Sequence, residues 1–171
     1  MRRGRNTESW ELKAAKRAVT IGDRFAVWFN RDVQKTLRIL VVLLAILGAV
    51  VSALALQVHY SNKLEPCDIN ARWDCGIVNH SRYSSIDGVP VAAVGIAGYL
   101  LISLLALLRK RDWTFAAAVA GLCYALYLSH VEDSILQVWC LYCVISQCII
   151  ALIVILAGIQ LAIGRKQQST P

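Results

Sequence analysis

The sequence predicts an all-α integral membrane protein, a four-transmembrane-helix bundle with a large extracytoplasmic loop between the first two helices. Apolar residues make up 57% of the 171 residues, whereas soluble domains use roughly 45–50%. These residues are concentrated in four long blocks separated by polar segments. This composition and pattern exclude a disordered chain and an ordinary soluble domain.

Each of the four blocks is long enough to cross a bilayer as a helix. About 20 helical residues span roughly 30 Å of hydrocarbon, and the predicted spans are residues 37–58, 90–108, 113–130 and 143–163. The first span begins well inside the chain and is longer than the apolar region of a signal peptide. We therefore expect it to remain as a membrane anchor within a four-helix domain over residues 37–164.

The basic residues predict the orientation of this bundle. Of the 18 Lys and Arg residues, only three lie in the 59–89 loop between the first two spans, and the others lie near the termini or at 109–111. Cytoplasmic segments of membrane proteins are enriched in cations. Both termini are therefore predicted to be cytoplasmic, with the 59–89 loop and a short turn near Glu132 outside. Because the net charge of +7 arises from this distribution, we expect no nucleic-acid partner.

Residues 1–36 form a basic segment in which aromatic and aliphatic side chains are interspersed with Lys and Arg. This pattern suits a helix that lies in the headgroup layer and binds anionic lipid. A topology-setting tail with partial helicity explains it equally well. At the other end, residues 165–171 are predicted to be a short cytoplasmic tail.

Of all residue types in the chain, the six cysteines indicate most about the reaction that the protein could catalyse. Cys123 and Cys148 lie inside predicted spans, where an isolated cysteine usually behaves as a small apolar side chain, and we expect both to serve packing. The other four lie in or beside the outer segments, where disulfides form and persist. A helix bundle would bring these four together; in chain order they are Cys67, Cys75, Cys140 and Cys143.

The Cys140-Leu-Tyr-Cys143 segment, the CxxC pair, has the spacing of a dithiol redox unit. Residues at i and i+3 share a helix face, so the two thiols can bond to each other, with Cys143 about 4.5 Å deeper in the membrane. We expect Cys140 to face water. The N-terminus of the fourth span would stabilise a thiolate there, and thiolates are what attack disulfides and quinones.

Cys67 and Cys75, the loop pair, are separated by seven residues in a loop that Pro66, Asp and Asn favour. Such a loop can move, and could carry electrons between a soluble partner and the CxxC pair by disulfide exchange. Four cysteines could instead hold zinc, but this spacing is wider than the usual roughly two to four residues, and we expect no metal. Two static structural disulfides are a further alternative.

Five short motifs follow one another along the outer segments and into the last span. In chain order they are Cys67-Asp68-x-Asn70, Trp73-Asp74-Cys75, Ser81-x-Tyr83-Ser84, Gly88-Val89-Pro90 and Trp139-Cys140-x-x-Cys143. Their order and spacing closely resemble the vitamin K epoxide reductase family in its bacterial form. The resemblance covers residues 37–164, and it is to a stand-alone form without a fused thioredoxin-like domain.

The resemblance implies a quinone-dependent thiol-disulfide oxidoreductase in the bacterial inner membrane. Such an enzyme reoxidises a periplasmic thioredoxin-fold (DsbA-like) protein, here acting in trans, and passes the electrons to ubiquinone or menaquinone, which supports disulfide bond formation. By the same resemblance, Cys75 of the loop pair would exchange with Cys140, and Cys143 would lie next to the quinone. The loop residues implied to lie near the site are Asp68, Asn70, Ser81 and Ser84.

A quinone pocket is expected within the bundle just below Cys143. The residues expected to line it come from the fourth span and the start of the second: Val91, Val94, Val144 and Gln147. Two of them depart from the family, because Val91 stands where animal relatives have a quinone-bonding Asn, and Gln147 where they have a Tyr. Gln147 could bond the quinone or simply a neighbouring helix.

Two other functions stay open. A DsbB-type quinone-linked oxidase would carry out nearly the same chemistry, but its CxxC pair is expected in the first outer loop, whereas here the CxxC pair follows the wider pair. A non-enzymatic membrane scaffold with structural disulfides would show no change in the redox state of its cysteines when a reduced partner or a quinone is added.

Overall fold

The computed structural model describes residues 4–61 and 67–168, with side chains described for residues 31–61 and 67–165. The chain divides into two units, residues 1–36 and 37–171. The described part of the first unit is helical and opens helix α1, Gly4–Tyr60. The aromatic and basic side chains on which the expected headgroup contact depends fall almost entirely within residues 1–30, outside the described side chains.

Helices dominate the second unit, as the sequence predicts. Between α1 and the next long helix lie a five-residue helix and a two-stranded antiparallel sheet. The elements after α1 are α2 (Cys75–Asn79), β1 (Ser85–Ile86), β2 (Val89–Pro90), α3 (Val91–Leu107), α4 (Arg111–Val131), a π-helical segment (Glu132–Leu136) and α5 (Leu141–Gln168).

Within the described residues, three helical stretches are long and apolar enough to cross a membrane. They are Arg31–Tyr60, Arg111–Leu136 and Leu141–Arg165, which overlap the first, third and fourth predicted spans. The second predicted span forms α3, an apolar helix of 17 residues that measures about 25 Å at 1.5 Å per residue. The protein is therefore a helical membrane protein, and the count of four spans stays a prediction.

A tight hairpin leads into α3. Ser85 pairs with Pro90 and Ile86 with Val89, which leaves Asp87 and Gly88 as a two-residue turn. Both turn residues have positive φ, 48° and 84°, as a type I′ turn requires, and Asp-Gly is a preferred sequence for it. The turn thus returns the chain to Pro90, which immediately precedes α3.

The core of the second unit is formed by α1, α3, α4 and α5. Tyr99 packs so closely on Gly48 that a Cβ atom at Gly48 would overlap the tyrosine ring, and the Tyr99 hydroxyl donates to the backbone oxygen of Ser146 at 2.8 Å. The remaining buried members are aliphatic: Val41, Ala45, Val51, Ile102, Ala106, Ala118, Ile149, Ile150 and Ile153. Large apolar side chains are also exposed along these helices, which suits contact with lipid.

Cys123 and Cys148 are not core residues. Both are exposed on the surfaces of α4 and α5, which corrects the expectation that they serve packing. An apolar side chain in a membrane helix can face lipid as readily as a neighbouring helix, so hydrophobicity alone does not predict which side it takes.

Candidate functional site

The two cysteine pairs come together in one apolar cluster. The cluster's buried members are Val58, Cys67, Cys75, Val78, Val138 and Cys140, and Cys143 packs against it from the start of α5. These residues belong to the end of α1, the loop with α2, and the segment that enters α5. The fold therefore places the sulfur atoms of both pairs in one water-poor region.

The loop pair is a disulfide in this structure, with the two Cα atoms 5.8 Å apart. Polar side chains fold the loop around it. Asp74 begins α2 by accepting a hydrogen bond from the Ile77 amide at 2.8 Å, as an N-cap residue does. Asp68 accepts from the Gly76 amide at 3.2 Å, and Asn70 closes a turn by accepting from the Trp73 amide at 3.2 Å.

A short backbone bridge ties the loop pair to the CxxC pair. The Trp139 amide donates to the Arg72 carbonyl at 2.9 Å, and the Asp74 amide donates to the Trp139 carbonyl at 3.1 Å. Trp73 and Trp139 thus pair in parallel, with their ring centroids 6.4 Å apart. Because Cys75 follows Asp74 and Cys140 follows Trp139, this bridge fixes where the two pairs meet.

Cys140 and Cys143 are free thiols. Cys140 is 0% exposed, which corrects the expectation that it faces water, since the loop and α2 pack over it. The Asn79 amide group spans the two pairs, donating to the Cys75 carbonyl at 2.9 Å and to the Cys140 Sγ at 3.6 Å.

The environment of Cys140 favours its thiolate. A hydrogen bond from the Cys143 side chain lowers the pKa of Cys140 below its ordinary value, against the opposing effect of burial. Backbone N–H groups of the first turn of α5 act in the same direction, as the orphan donors of a helix N-terminus do. At a given pH a larger fraction of Cys140 than of an ordinary cysteine is therefore thiolate, the form in which a cysteine takes part in disulfide exchange.

Glu132 is a site residue that sequence reasoning missed. Its side chain is 2% exposed, and its Oε2 accepts a hydrogen bond from the Cys140 amide at 3.1 Å. Its backbone carbonyl accepts from the Val138 amide at 3.2 Å. The sequence does contain one indication of it, a carboxylate just after an apolar span, because ionisable groups within or close to the membrane usually mark functional sites.

A cavity of about 410 Å³ opens beside Cys143, between the loop and the helices. This volume is within the roughly 300–1,000 Å³ of typical small-molecule sites. Its walls are mostly apolar, and Val91 and Val94 are among them. The polar groups that line it include Ser81, Ser84, Tyr99, Glu132, Cys143 and Ser146.

Val144 and Gln147 do not line this cavity, which corrects that part of the expected pocket. At 3.6 residues per turn, positions 143, 146 and 150 share a face of α5, while 144 and 147 lie beyond one edge of it. Gln147 instead accepts a hydrogen bond from the Ser129 hydroxyl of α4. It therefore bonds a neighbouring helix.

Of the four loop residues expected near the site, two line the cavity and two do not. Ser81 and Ser84 line the cavity, but each hydroxyl donates to a backbone carbonyl at 2.8 Å, Val78 for Ser81 and Ser81 for Ser84. Asp68 and Asn70 do not line it and instead shape the loop.

The only side-chain cluster of metal-ligand type in the described residues is Cys67, Asp68 and Cys75, with ligand atoms within 4.8 Å of one another. Its two sulfur atoms are joined in the disulfide. The cluster therefore offers no thiolate to a metal ion in this redox state.

The sequence of residues 39–158 matches the family model described as Vitamin K epoxide reductase family. The matched range includes both cysteine pairs, the backbone bridge and all residues that line the cavity.

Proposed function

Because this chain belongs to the vitamin K epoxide reductase family, a family of membrane oxidoreductases, we propose that it is a thiol:quinone oxidoreductase. It reoxidises a periplasmic thioredoxin-fold protein and passes the electrons through two cysteine pairs to a membrane quinone, which supports disulfide bond formation. The observation that carries this proposal is the packing of both pairs in one cluster, with Cys143 on the wall of a cavity.

The electron path begins at the loop pair. A thiolate of the reduced partner attacks the Cys67–Cys75 disulfide, and resolution of the mixed disulfide leaves the partner oxidised and the loop pair reduced. Cys75 then attacks Cys140 of an oxidised CxxC pair, which restores the loop disulfide and leaves two thiols at positions 140 and 143. An oxidised loop pair beside a reduced CxxC pair is the state expected after this second exchange.

The last step delivers the electrons to a quinone, either ubiquinone or menaquinone, in the cavity. The two CxxC thiols become a disulfide, and the quinone gains two electrons and two protons to become the hydroquinone. An apolar cavity among membrane helices suits a lipid-soluble ring and tail, and its few polar groups, Tyr99, Glu132 and Ser146 among them, line it together with Cys143.

The test is anaerobic mixing of the purified protein with a reduced thioredoxin-fold protein and a soluble quinone. We expect the quinone absorbance and the partner thiols to be lost together, in a ratio of one quinone to one dithiol. A membrane scaffold with structural disulfides predicts no loss of either. Absence of quinone-dependent thiol loss would refute the proposed function.

The proposed compartment requires both termini in the cytoplasm and the loop pair in the periplasm of a bacterial inner membrane. Fifteen of the 18 cations lie on the predicted cytoplasmic side, which supports this orientation. Alkaline phosphatase fused near residue 70 should be active, and the same enzyme fused within residues 109–112 should be inactive. The reverse pattern would contradict the orientation.

A further inference from the structure

Glu132 is a buried carboxyl group that the electron path above does not use. It lines the cavity together with Cys143, and its side chain interacts with the Cys143 thiol. One of its oxygens, Oε2, accepts from the Cys140 amide at 3.1 Å. The carboxyl group therefore touches both the reacting dithiol and the space in which the acceptor would bind.

A buried carboxylate at this position is energetically unfavourable if its role is only structural. Ion pairs among the described side chains include Asp32 with Lys35 and Asp112 with Arg165, and Glu132 takes part in neither. Burying a charge without an opposite charge costs free energy. An amide side chain could accept the same bond from the Cys140 amide without that cost.

The backbone holds the carboxyl group at a fixed place relative to the CxxC pair. Glu132 opens the π-helical segment at the end of α4, and segments of this kind occur frequently at functional sites. Its carbonyl bonds the Val138 amide while its side chain bonds the Cys140 amide. The residue is thus attached at two points to the short segment that leads into Cys140.

We propose that Glu132 is the proton carrier of the quinone-reducing step, taking the proton of the Cys143 thiol and giving it to a quinone oxygen. This inference rests on the proposed function and adds a residue to it. As the S–S bond forms between positions 140 and 143, two electrons pass to the quinone. One proton reaches the ring through Glu132, and the second comes from the aqueous phase, replacing the proton lost when Cys140 ionised.

The test is a single-turnover reaction in which chemically reduced protein is mixed with a soluble quinone without any protein partner. Glu132→Gln keeps an acceptor for the Cys140 amide but cannot carry the proton. We expect its maximal rate to fall about 100-fold, since proton transfer by a positioned side chain contributes about 10²–10⁴-fold, while the quinone concentration that gives half of the maximal rate stays unchanged. Asp133→Asn is the matched control, because Asp133 is the exposed neighbouring carboxylate, and it should react like the parent.

The possible outcomes separate this inference from the proposed function. A parent protein that does not reduce quinone refutes the function itself. A parent that reduces quinone, together with a Glu132→Gln protein that reacts equally fast, overturns only the role of Glu132, and so does an Asp133→Asn protein that is as slow as Glu132→Gln.

A second measurement covers the case in which Glu132→Gln does not fold. Oxidation removes the Cys143 thiol proton that contacts Glu132, so infrared difference spectra of the parent protein between the reduced and oxidised dithiol should contain a shifted carboxyl or carboxylate band that Asp133→Asn retains. A parent spectrum without such a band, or one whose band Asp133→Asn removes, would overturn the proposal.

Discussion

The loop pair and the CxxC pair share one apolar cluster, but they are held by different kinds of structure. The loop pair closes a nine-residue segment whose shape depends on polar side chains, with Asp74 capping α2 and Asn70 closing a turn. The CxxC pair is held by a long membrane helix, with Cys140 just before its first residue and Cys143 in its first turn. The first pair is thus organised by local hydrogen bonds, and the second by a helix and the cavity beside it.

This difference indicates why two pairs are useful under the proposed function. The loop disulfide is buried, so a soluble partner reaches it only when the hydrogen-bonded loop opens, which need not disturb the helix bundle. A thiol on a helix can instead face a lipid-soluble acceptor. The Trp73–Trp139 bridge joins the two environments. Variants that break one pair at a time, or that weaken the contacts between the pairs, separate the two roles.

The largest effect should follow from breaking the CxxC pair. Cys140→Ser or Cys143→Ser should abolish quinone-coupled oxidation with any reductant, because no disulfide can then form beside the cavity. Quinone absorbance under anaerobic conditions measures this. Cys123→Ala and Cys148→Ala are matched controls on exposed positions and should stay active, while appreciable turnover in Cys143→Ser would contradict the electron path.

Breaking the loop pair should have an effect that depends on the reductant. Cys67→Ser or Cys75→Ser should block oxidation of the protein partner but spare that of dithiothreitol, which is small enough to reach the CxxC pair through the cavity that Cys143 lines. The two rates are compared in one quinone assay. Equal loss of both activities in all four cysteine variants would count against a relay of two pairs.

The long helices and the two cysteine pairs could be predicted from the sequence, and for the helices the physical reason is the membrane. A bilayer demands long apolar helices, so the blocks around Val41, Ala118 and Ile153 are visible as spans without a structure. The cysteine pairs are equally visible, because CxxC spacing and a position between apolar blocks can be recognised from local sequence. The predicted span 90–108 likewise coincides with an observed helix, α3.

What could not be predicted depends on contacts between distant segments. Nothing local to Trp73 or Trp139 indicates that their backbones pair, and the burial of Cys140 depends on the loop that this pairing holds over it. The partner of Gln147 is a further case. Its place one turn from Cys143 follows from the helix period, but the neighbour that it contacts depends on how α5 packs against α4, where the Ser129 hydroxyl donates to it.

The titration of Cys140 provides a smaller test of how the two CxxC thiols differ. A hydrogen bond from Cys143 lowers the pKa of Cys140, so its thiolate is present at a lower pH than that of an ordinary cysteine. Cys143→Ala removes this bond and leaves burial, which disfavours the charge, so the thiolate should form only at higher pH. Thiolate ultraviolet absorbance in a Cys123→Ala, Cys148→Ala background with an intact loop disulfide measures the shift. Cys143→Ser keeps a donor and should titrate between the two, and an unchanged titration in Cys143→Ala would refute the assigned cause.

Asn79 should contribute a modest amount to exchange between the pairs. Its amide group donates to both the Cys75 carbonyl and the Cys140 Sγ, so Asn79→Ala removes a donor from the sulfur that is attacked. A net hydrogen bond is worth about 1 kcal/mol, which corresponds to roughly fivefold slower partner oxidation. Ile77→Ala, an exposed change on the same short helix, is the control. A rate for Asn79→Ala equal to that control would show that the contact does not assist exchange.

The smallest effect is expected at Gln147, where the two possible roles predict opposite results. A glutamine that bonded the quinone would, when changed to Leu, raise the quinone KM several-fold. In the structure Gln147 bonds Ser129 across α4 and α5 instead, so Gln147→Leu should leave the quinone KM unchanged and lower the free energy of unfolding by about 0.6 kcal/mol, the average for such interhelical bonds. Ser129→Ala removes the same bond. Because the two variants lose one shared interaction, the double variant should be about as stable as the less stable single variant, apart from the difference in apolar packing. Additive losses of stability in the double-mutant cycle would mean that the two side chains act separately. A raised quinone KM in Gln147→Leu would mean that Gln147 contacts the quinone, and that the acceptor binds closer to α4 than expected.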